Sequence, residues 1–361
     1  MATLSGVAAK RRVGFVPSAP VLSRQLRGLL LTGTISLFAT MLVAVYLMPL
    51  GYAAALSVRG EGVEAGQPQW PSDPAQFTYN GETFDLYNVP LDGSVRQLAL
   101  TKPGREQSTF IDPKQPTQPI EWQGRWRTLD RVWNLSAHWS NFGEAWRISN
   151  FGRLFFNTLA IALIGTVGAV SSAVVVAYGF SRFRIPGKAI LFSILVGTII
   201  LPQQVTIVPT YALFTRLGWV GTWLPLLVPH FFGNAYNVFL LRQFFMSIPR
   251  DMDEAAMIDG AGPFRTLISV IVPQAWAAII AVCLFHFFFA WNDFLAPLVY
   301  LVGHEELWPI SVGMSYFSGQ YKQLPNLIQA TAVMAMALPL GIFLIAQRAF
   351  VQGVVVTGVE K

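Results

Sequence analysis

Six long apolar runs dominate the alternation of hydrophobic and polar positions along this chain. A helix needs roughly 20 apolar residues to cross a hydrocarbon core about 30 Å thick. Runs of that order predict spans at 29–57, 154–180, 189–208, 222–241, 273–302 and 326–346. Pro202, Pro225, Pro229, Pro297 and Pro339 lie within or near them. In lipid such breaks survive where neighbouring helices re-satisfy the freed backbone groups, so a packed bundle is expected.

The segment 58–150 breaks the pattern. It is polar and contains no span. "FTYNGETFDLYNV" sets Asn80-Gly81 between alternating residues, a hairpin signal. "SVRQLALT", "STFIDP" and "IEWQGRWRTL" read as further strands, which predicts a small β-rich insertion. Six of the eleven tryptophans fall here: Trp70, Trp122, Trp126, Trp133, Trp139 and Trp146. They suit sugar stacking, but a small core filled by aromatic bulk, or headgroup contact, is the preferred reading. In "HWSNFGEAWRISNFGRLFFNTL", Trp139, Phe142, Trp146 and Ile148 predict an amphipathic helix at the membrane surface.

Composition sharpens the membrane reading. The chain is 53% hydrophobic and only 12% charged, against about 25% charged in soluble domains. Lys10, Arg11, Arg12, Arg24 and Arg27 precede the first run; Arg182, Arg184 and Lys188 follow the second; Arg242, Arg250 and Arg265 follow the fourth. The positive-inside rule then puts both termini in the cytoplasm and 58–150 outside, with Trp219, Trp223 and Trp308 at the outer interface. "KRR", an apolar run and "AAALS" imitate a secretory signal cleaved after Ala55, but the run exceeds the 7–15 residues of such a signal. Cys283 is the single cysteine, which excludes an intramolecular disulfide and a cysteine-based metal site. The expected order is a cytoplasmic arm (1–28), span one (29–57), the insertion (58–150), a core of five spans (151–346) with a cytoplasmic loop at 242–272, and a cytoplasmic tail (347–361).

That loop carries "EAAMIDGAGPFRTLISVIVPQ". Ser247 is expected to cap a short helix with Pro249 in its first turn. Asp251, Asp253 and Glu254 suit its N-terminal dipole. Gly260 and Gly262 end it, and Pro263 opens a second helix. Ala255 and Ala256 keep the first helix slim. Docking and mere linkage of two spans remain equal alternatives on these grounds.

Glu254, Ala255, Ala256, Asp259, Gly260 and Pro263, with Ile268 and Pro273, resemble the EAA loop of binding-protein-dependent ABC importers. "NTLAIALIG", "YGFSRFRIPGK", "WNDFLAPLVYL" and "QRAFVQGVVVTGVEK" extend the likeness over 151–361, to permeases of the maltose-transporter type. The large insertion departs from that pattern. The resemblance implies an all-α polytopic membrane protein with six transmembrane helices of the type I ABC importer kind, plus the β-rich insertion. It implies a bacterial inner-membrane permease subunit passing a sugar or related polar solute from an extracytoplasmic binding protein. The implied partners are a second permease, two ATPase subunits, that binding protein and membrane lipid, but no nucleic acid. In the family the EAA loop fits a cleft on the ATPase, which would pair Glu254 with a basic residue there. The tail from Gln352 and Gly353 would reach the ATPases too. "GVVVTGVEK" lacks the lysine of a phosphate loop. The chain is therefore expected to bind no cofactor and to be no enzyme, with ATP and Mg bound by the partner ATPases.

Polar residues within spans often face a cavity. Gln203, Gln204, Asn234, Asn237, Asn292 and Asp293 are candidates for the solute path, beside Asn157, His230, His286 and Gln329; interhelical bonding is the alternative for each. The family likeness also implies that Tyr316, Phe317, Gln320 and Tyr321, in the loop 303–325, touch the binding protein. No catalytic or metal-binding constellation stands out. Other classes considered are an ion- or proton-coupled carrier, which requires broken helices, an importer permease for a non-sugar solute, and an anchored sensor or enzyme centred on 58–153.

Overall fold

The computed structural model describes residues 21–60, 68, 70–91, 93–317 and 324–355. The arm 1–20 and the last residues, 356–361, thus lie outside the description. Two units are distinguished, one ending at Tyr52 and one beginning at Ala53. Nearly all of the first unit's description is the helix α1 (Val21–Ser57), whose large apolar side chains from Leu29 to Tyr52 are exposed. A helix apolar all round is made for lipid or for burial.

The second unit opens with the β-rich segment. Its strands are β1 (Ser72–Pro74), β2 (Gln76–Tyr79), β3 (Glu82–Leu91), β4 (Ser94–Lys102), β5 (Gln107–Asp112), β6 (Gln115–Gln123), β7 (Asp130–Arg131) and β8 (Trp133–Leu135). β2 to β6 form an antiparallel meander, β7 pairs with β3, and β1 pairs with β8. The expected hairpin is present: Asn80 and Gly81 both take positive φ (52° and 85°), the pattern of a two-residue turn matched to strand twist. Pro116 and Pro119 lie on β6, an edge strand, where a missing N–H is tolerated. Val89, Leu98 and Phe110 form the core, and Trp122 and Trp126 pack edge-on against Phe110 and Tyr87. Trp70, Trp139 and Trp146 remain exposed.

The amphipathic helix α2 (Ser140–Ile148) buries Asn141 and Ala145. Asn141 donates to the carbonyls of Ser57 and Arg59 (2.9 and 2.7 Å), and Ala145 meets Leu327 and Ala330. Asn150, at φ 52°, breaks the chain direction before α3 (Phe151–Arg182).

α3 is the central helix, about 48 Å long at 1.5 Å per residue over its 32 residues. Behind it come α4 (Lys188–Gly197), α5 (Gln203–Arg216), α6 (Leu224–Leu227), α7 (Ala235–Ser247), α8 (Asp251–Ile258), α9 (Pro263–Thr266), α10 (Val272–Gln274), α11 (Trp276–Trp291), α12 (Leu295–Tyr300), α13 (Ile310–Gly313) and α14 (Pro325–Val355). α7 and α11 flank α3. Small residues on α3 admit the fourth span: a Cβ at Gly168 would lie 2.7 Å from the Phe231 ring, and one at Gly165 3.1 Å from His230. Ser172 repairs the backbone that Pro229 and Gly233 disrupt, accepting from the Gly233 N–H (3.1 Å) and donating to the His230 carbonyl (3.2 Å).

Three of the six expected spans are not single helices: the fourth breaks at Gly233, between the turn Val228–Phe232 and α7, and the third and fifth bend sharply. The third bends by 101° between Lys188–Ile200 and Gln203–Arg216, where Pro202 cannot continue the hydrogen-bond ladder. The fifth, expected at 273–302, meets the loop helices at an 82° bend between Pro263–Gln274 and Trp276–Trp291, after a π-helical turn at Leu267–Ile271, and breaks again between α11 and α12. Among the described residues four helices are long and apolar enough to cross a membrane, or up to six if each bent pair is one span.

Candidate functional site

α8 is the chemistry of the 242–272 loop made visible. Its first turn holds Asp251, Asp253 and Glu254, where the helix dipole favours carboxylates. Ser247 does not cap it: that residue closes α7, its hydroxyl donating to the Phe244 carbonyl (2.7 Å), and Arg250 takes the cap position without a side-chain bond. At the other end Gly260 takes φ 75°; its N–H donates to Met257 O (3.0 Å) and that of Ala261 to Ala256 O (2.9 Å). That paired closure favours glycine at the left-handed position. Pro263 then starts α9.

The two faces of α8 differ sharply. Asp253 and Ala256 are buried, whereas Glu254, Ala255, Asp259, Gly260 and Pro263 are exposed. Met257 (60% exposed), Ile258 (86%) and Phe264 (73%) stand beside them, large apolar groups without cover. Under the helix, Arg182 at the end of α3 brings Nε to 3.0 Å from Asp253 Oδ2, both side chains about one-tenth exposed or less. The angle misses a hydrogen bond, so charge holds the contact, while Arg182 Nη2 donates to the Ile248 carbonyl (3.0 Å).

α3 therefore separates two regions. Its start adjoins α2 and the segment 306–310, which Asn157 holds by donating to the Glu306 and Trp308 carbonyls (2.9 and 3.0 Å). Thr158 accepts from the Ile310 N–H (2.8 Å). Within that segment the exposed Glu306 carboxyl lies below its ordinary pKa, through its own backbone N–H first and the His304 side chain second. α8 adjoins the far end of α3.

Between these ends lies a polar seam. Asn237 Nδ2 is 3.1 Å from His286 Nδ1, and His286 Nε2 is 3.1 Å from His230 Nδ1, so neutral rings can pass hydrogen bonds along the row. His230, Thr158 and Asp293 border a cavity of about 20 Å³, enough for one water. Asn234 caps α7, accepting from the Asn237 N–H (3.1 Å). Asn292 is exposed and donates to the Phe288 carbonyl (2.8 Å). Gln203 and Gln204 are exposed at the start of α5, beyond the bend. The structure thus joins Asn234 with Asn237, and Asp293 with His230, but leaves Gln203, Gln204 and Asn292 outside the seam. The His230–His286 contact has no signal in residue spacing.

Phe317 is 1% exposed, packed with Ala145, Leu327 and Ala330, so its ring is committed inside the chain. Tyr316 belongs to the turn Met314–Phe317. Gln320 and Tyr321 lie outside the described residues. Gln352 and Gly353 belong to the last turns of α14.

Comparison with known proteins bears on this arrangement. Residues 165–356, which hold the seam and the α8 loop, match the family described as Binding-protein-dependent transport system inner membrane component. Osmoprotective compounds uptake permease protein GgtD of Synechocystis sp. is 32% identical, covering 78% of this chain and 95% of its own length. sn-Glycerol-3-phosphate transport system permease protein UgpE of Pectobacterium atrosepticum is 32% identical over 60% of this chain and 79% of its own. A chain from the crystal structure of a bacterial ABC transporter involved in the import of the acidic polysaccharide alginate shares the fold, with a TM-score of 0.61 at 19% identity over 92% of this chain and 99% of that one.

Proposed function

The chain belongs to the inner membrane components of binding-protein-dependent transport systems, and on that footing we propose that it is the permease subunit that passes a sugar or related polar solute inward from an external binding protein. Its relatives are permease subunits for osmoprotective compounds and for sn-glycerol 3-phosphate. The chain makes six crossings, two of them sharply bent. Both termini and α8 face the cytoplasm, and the β-rich insertion faces outward. The Arg and Lys residues of the loops after the second and fourth spans support this sidedness.

One observation carries the mechanism: a short helix with a bare apolar face, closed by a glycine turn, at the opposite end of α3 from the insertion. An uncovered patch of that kind marks a contact surface. The occupant is an ATPase subunit, one of two, which bind ATP and Mg; a second permease completes the pathway. Glu254 pairs with a basic group there, Ala255 and Ala256 allow close approach, and Asp259, Gly260 and Pro263 set the turn. ATP binding closes the ATPases, draws α8 inward and opens the path outward; hydrolysis reverses this. The tail from Gln352 and Gly353 touches the ATPases as well. The seam of Asn234, Asn237 and Asp293 borders the solute path, with Gln203, Gln204 and Asn292 at its margins, and Tyr316, Gln320 and Tyr321 meet the binding protein on a loop anchored by Phe317.

Glu254→Arg in the assembled transporter tests the reading. Uptake and solute-stimulated ATPase activity are expected to fall together while the complex still purifies. Unchanged activity in both assays refutes the role of α8. The ion-coupled alternative expects broken helices, and they are present; family membership assigns them to the permease.

A further inference from the structure

The β-rich segment carries a cleft lined by none of the residues that the permease reading uses. It lies between the turn after β4 and the turn after β6, has a volume of about 960 Å³, and is bordered by Arg105, Arg125, Arg127, Trp126 and Thr128, with Glu106 as its acidic residue. Its walls are fixed. The Gly124 N–H donates to the Glu106 carbonyl (2.7 Å), tying one turn to the other, and the Gly104 N–H donates to Ser108 Oγ (3.1 Å). A Cβ at Gly104 would lie 1.8 Å from the Gln107 carbonyl oxygen, and one at Gly124 2.3 Å from the Trp122 ring. Glycine is what lets each turn fold so tightly on itself.

Charge in this cleft is unbalanced. Among the described residues, no carboxylate lies within ion-pair distance of Arg105, Arg125 or Arg127. Neighbouring Arg131, by contrast, is paired with Asp85. Trp126 is poorly placed as a sugar platform, since Arg127 stacks over its ring at 5.3 Å and Tyr87 meets it edge-on. It serves instead to orient a guanidinium. Guanidinium forks bind carboxylates and phosphates two bonds at a time, and a concave site of several hundred Å³ suits a small solute.

We propose that this cleft is an extracytoplasmic binding site for the carboxylate or phosphate group of a soluble sugar or polyol. Its extracytoplasmic placement rests on the proposed topology, while the permease reading itself survives if the cleft is silent. The test uses the whole transporter in phosphatidylcholine nanodiscs at low salt, with glucuronate and glycerol 3-phosphate as probes in equilibrium dialysis, and glucose and glycerol as neutral counterparts. The anionic probes are expected to bind roughly tenfold more tightly than the neutral ones, and Arg105→Gln with Arg125→Gln to remove that advantage. Lysine at both positions keeps charge without the fork and should give intermediate affinity, which separates recognition from misfolding. Arg96→Gln, exposed on β4 away from the cleft, should stay within about twofold of the parent. Equal binding of charged and neutral probes, or indifference to the double variant, overturns the proposal. A second arm uses phosphatidylglycerol nanodiscs. Retained probe binding supports a solute site; probe binding abolished there makes the lipid headgroup the ligand and overturns it. So does a salt-sensitive loss of binding-protein capture in the double variant without any binding of the small probes.

Discussion

Asp253 is 7% exposed, and its counter-charge is Arg182 on another helix. Removing one partner of a buried pair strands the other, at a cost of about 3–5 kcal/mol. Asp253→Ala is therefore expected to lower the thermal midpoint of the assembled transporter clearly, whereas Asp251→Ala, at an exposed position, should barely move it. Exchanging the two charges, Arg182→Asp with Asp253→Arg, should recover part of the loss. Equal midpoints for the two alanine variants would deny the pair any structural worth. In the sequence these residues are visible only as loop charges: Arg182 counts towards sidedness, and Asp253 towards a helix dipole. Nothing in their spacing says that they meet. The His230–His286 contact is hidden for the same reason, because tertiary packing of separate elements sets it.

At the scale of elements, α3 is fitted to its neighbours by small residues. A side chain at Gly168 would drive into Phe231, and overpacking of this kind costs about 1–3 kcal/mol. Gly168→Leu should lower the thermal midpoint, while Gly143→Ala on α2, with open space around it, should leave it unchanged or slightly raised. An unchanged midpoint for Gly168→Leu would show that the fourth span yields freely. The elements easiest to read in the sequence were those whose pattern is local. Asn80-Gly81 announces its turn, and α1, α3 and α14 are unbroken apolar runs. The bends of the third and fifth spans were not legible as bends. Pro202 and Pro273 mark weak points, but their angles depend on what packs alongside, and the fifth span turns at Ala275, beyond its proline.

For the whole molecule, sidedness is the property that a test can decide most directly. In a Cys283→Ser background, which removes the single native cysteine, a cysteine at Ser94 in the insertion should react with a membrane-impermeant maleimide on intact cells. One at Arg184, exposed in the loop after α3, should react only after permeabilisation. The reverse pattern would invert the proposed topology. In the sequence the proposed orientation rests on the Lys and Arg distribution alone. It does not reveal that one helix runs from the insertion to the loop.

That helix is held at both tips: Asn157 and Thr158 grip the segment 306–310, and Arg182 grips α8. A rod cannot stretch, because every turn is tied to the next by backbone bonds. A push on the lower tip must reappear above as tilt or rotation. On the proposed topology one stiff strut thus links the outer rim to α8, before any solute has moved through the middle.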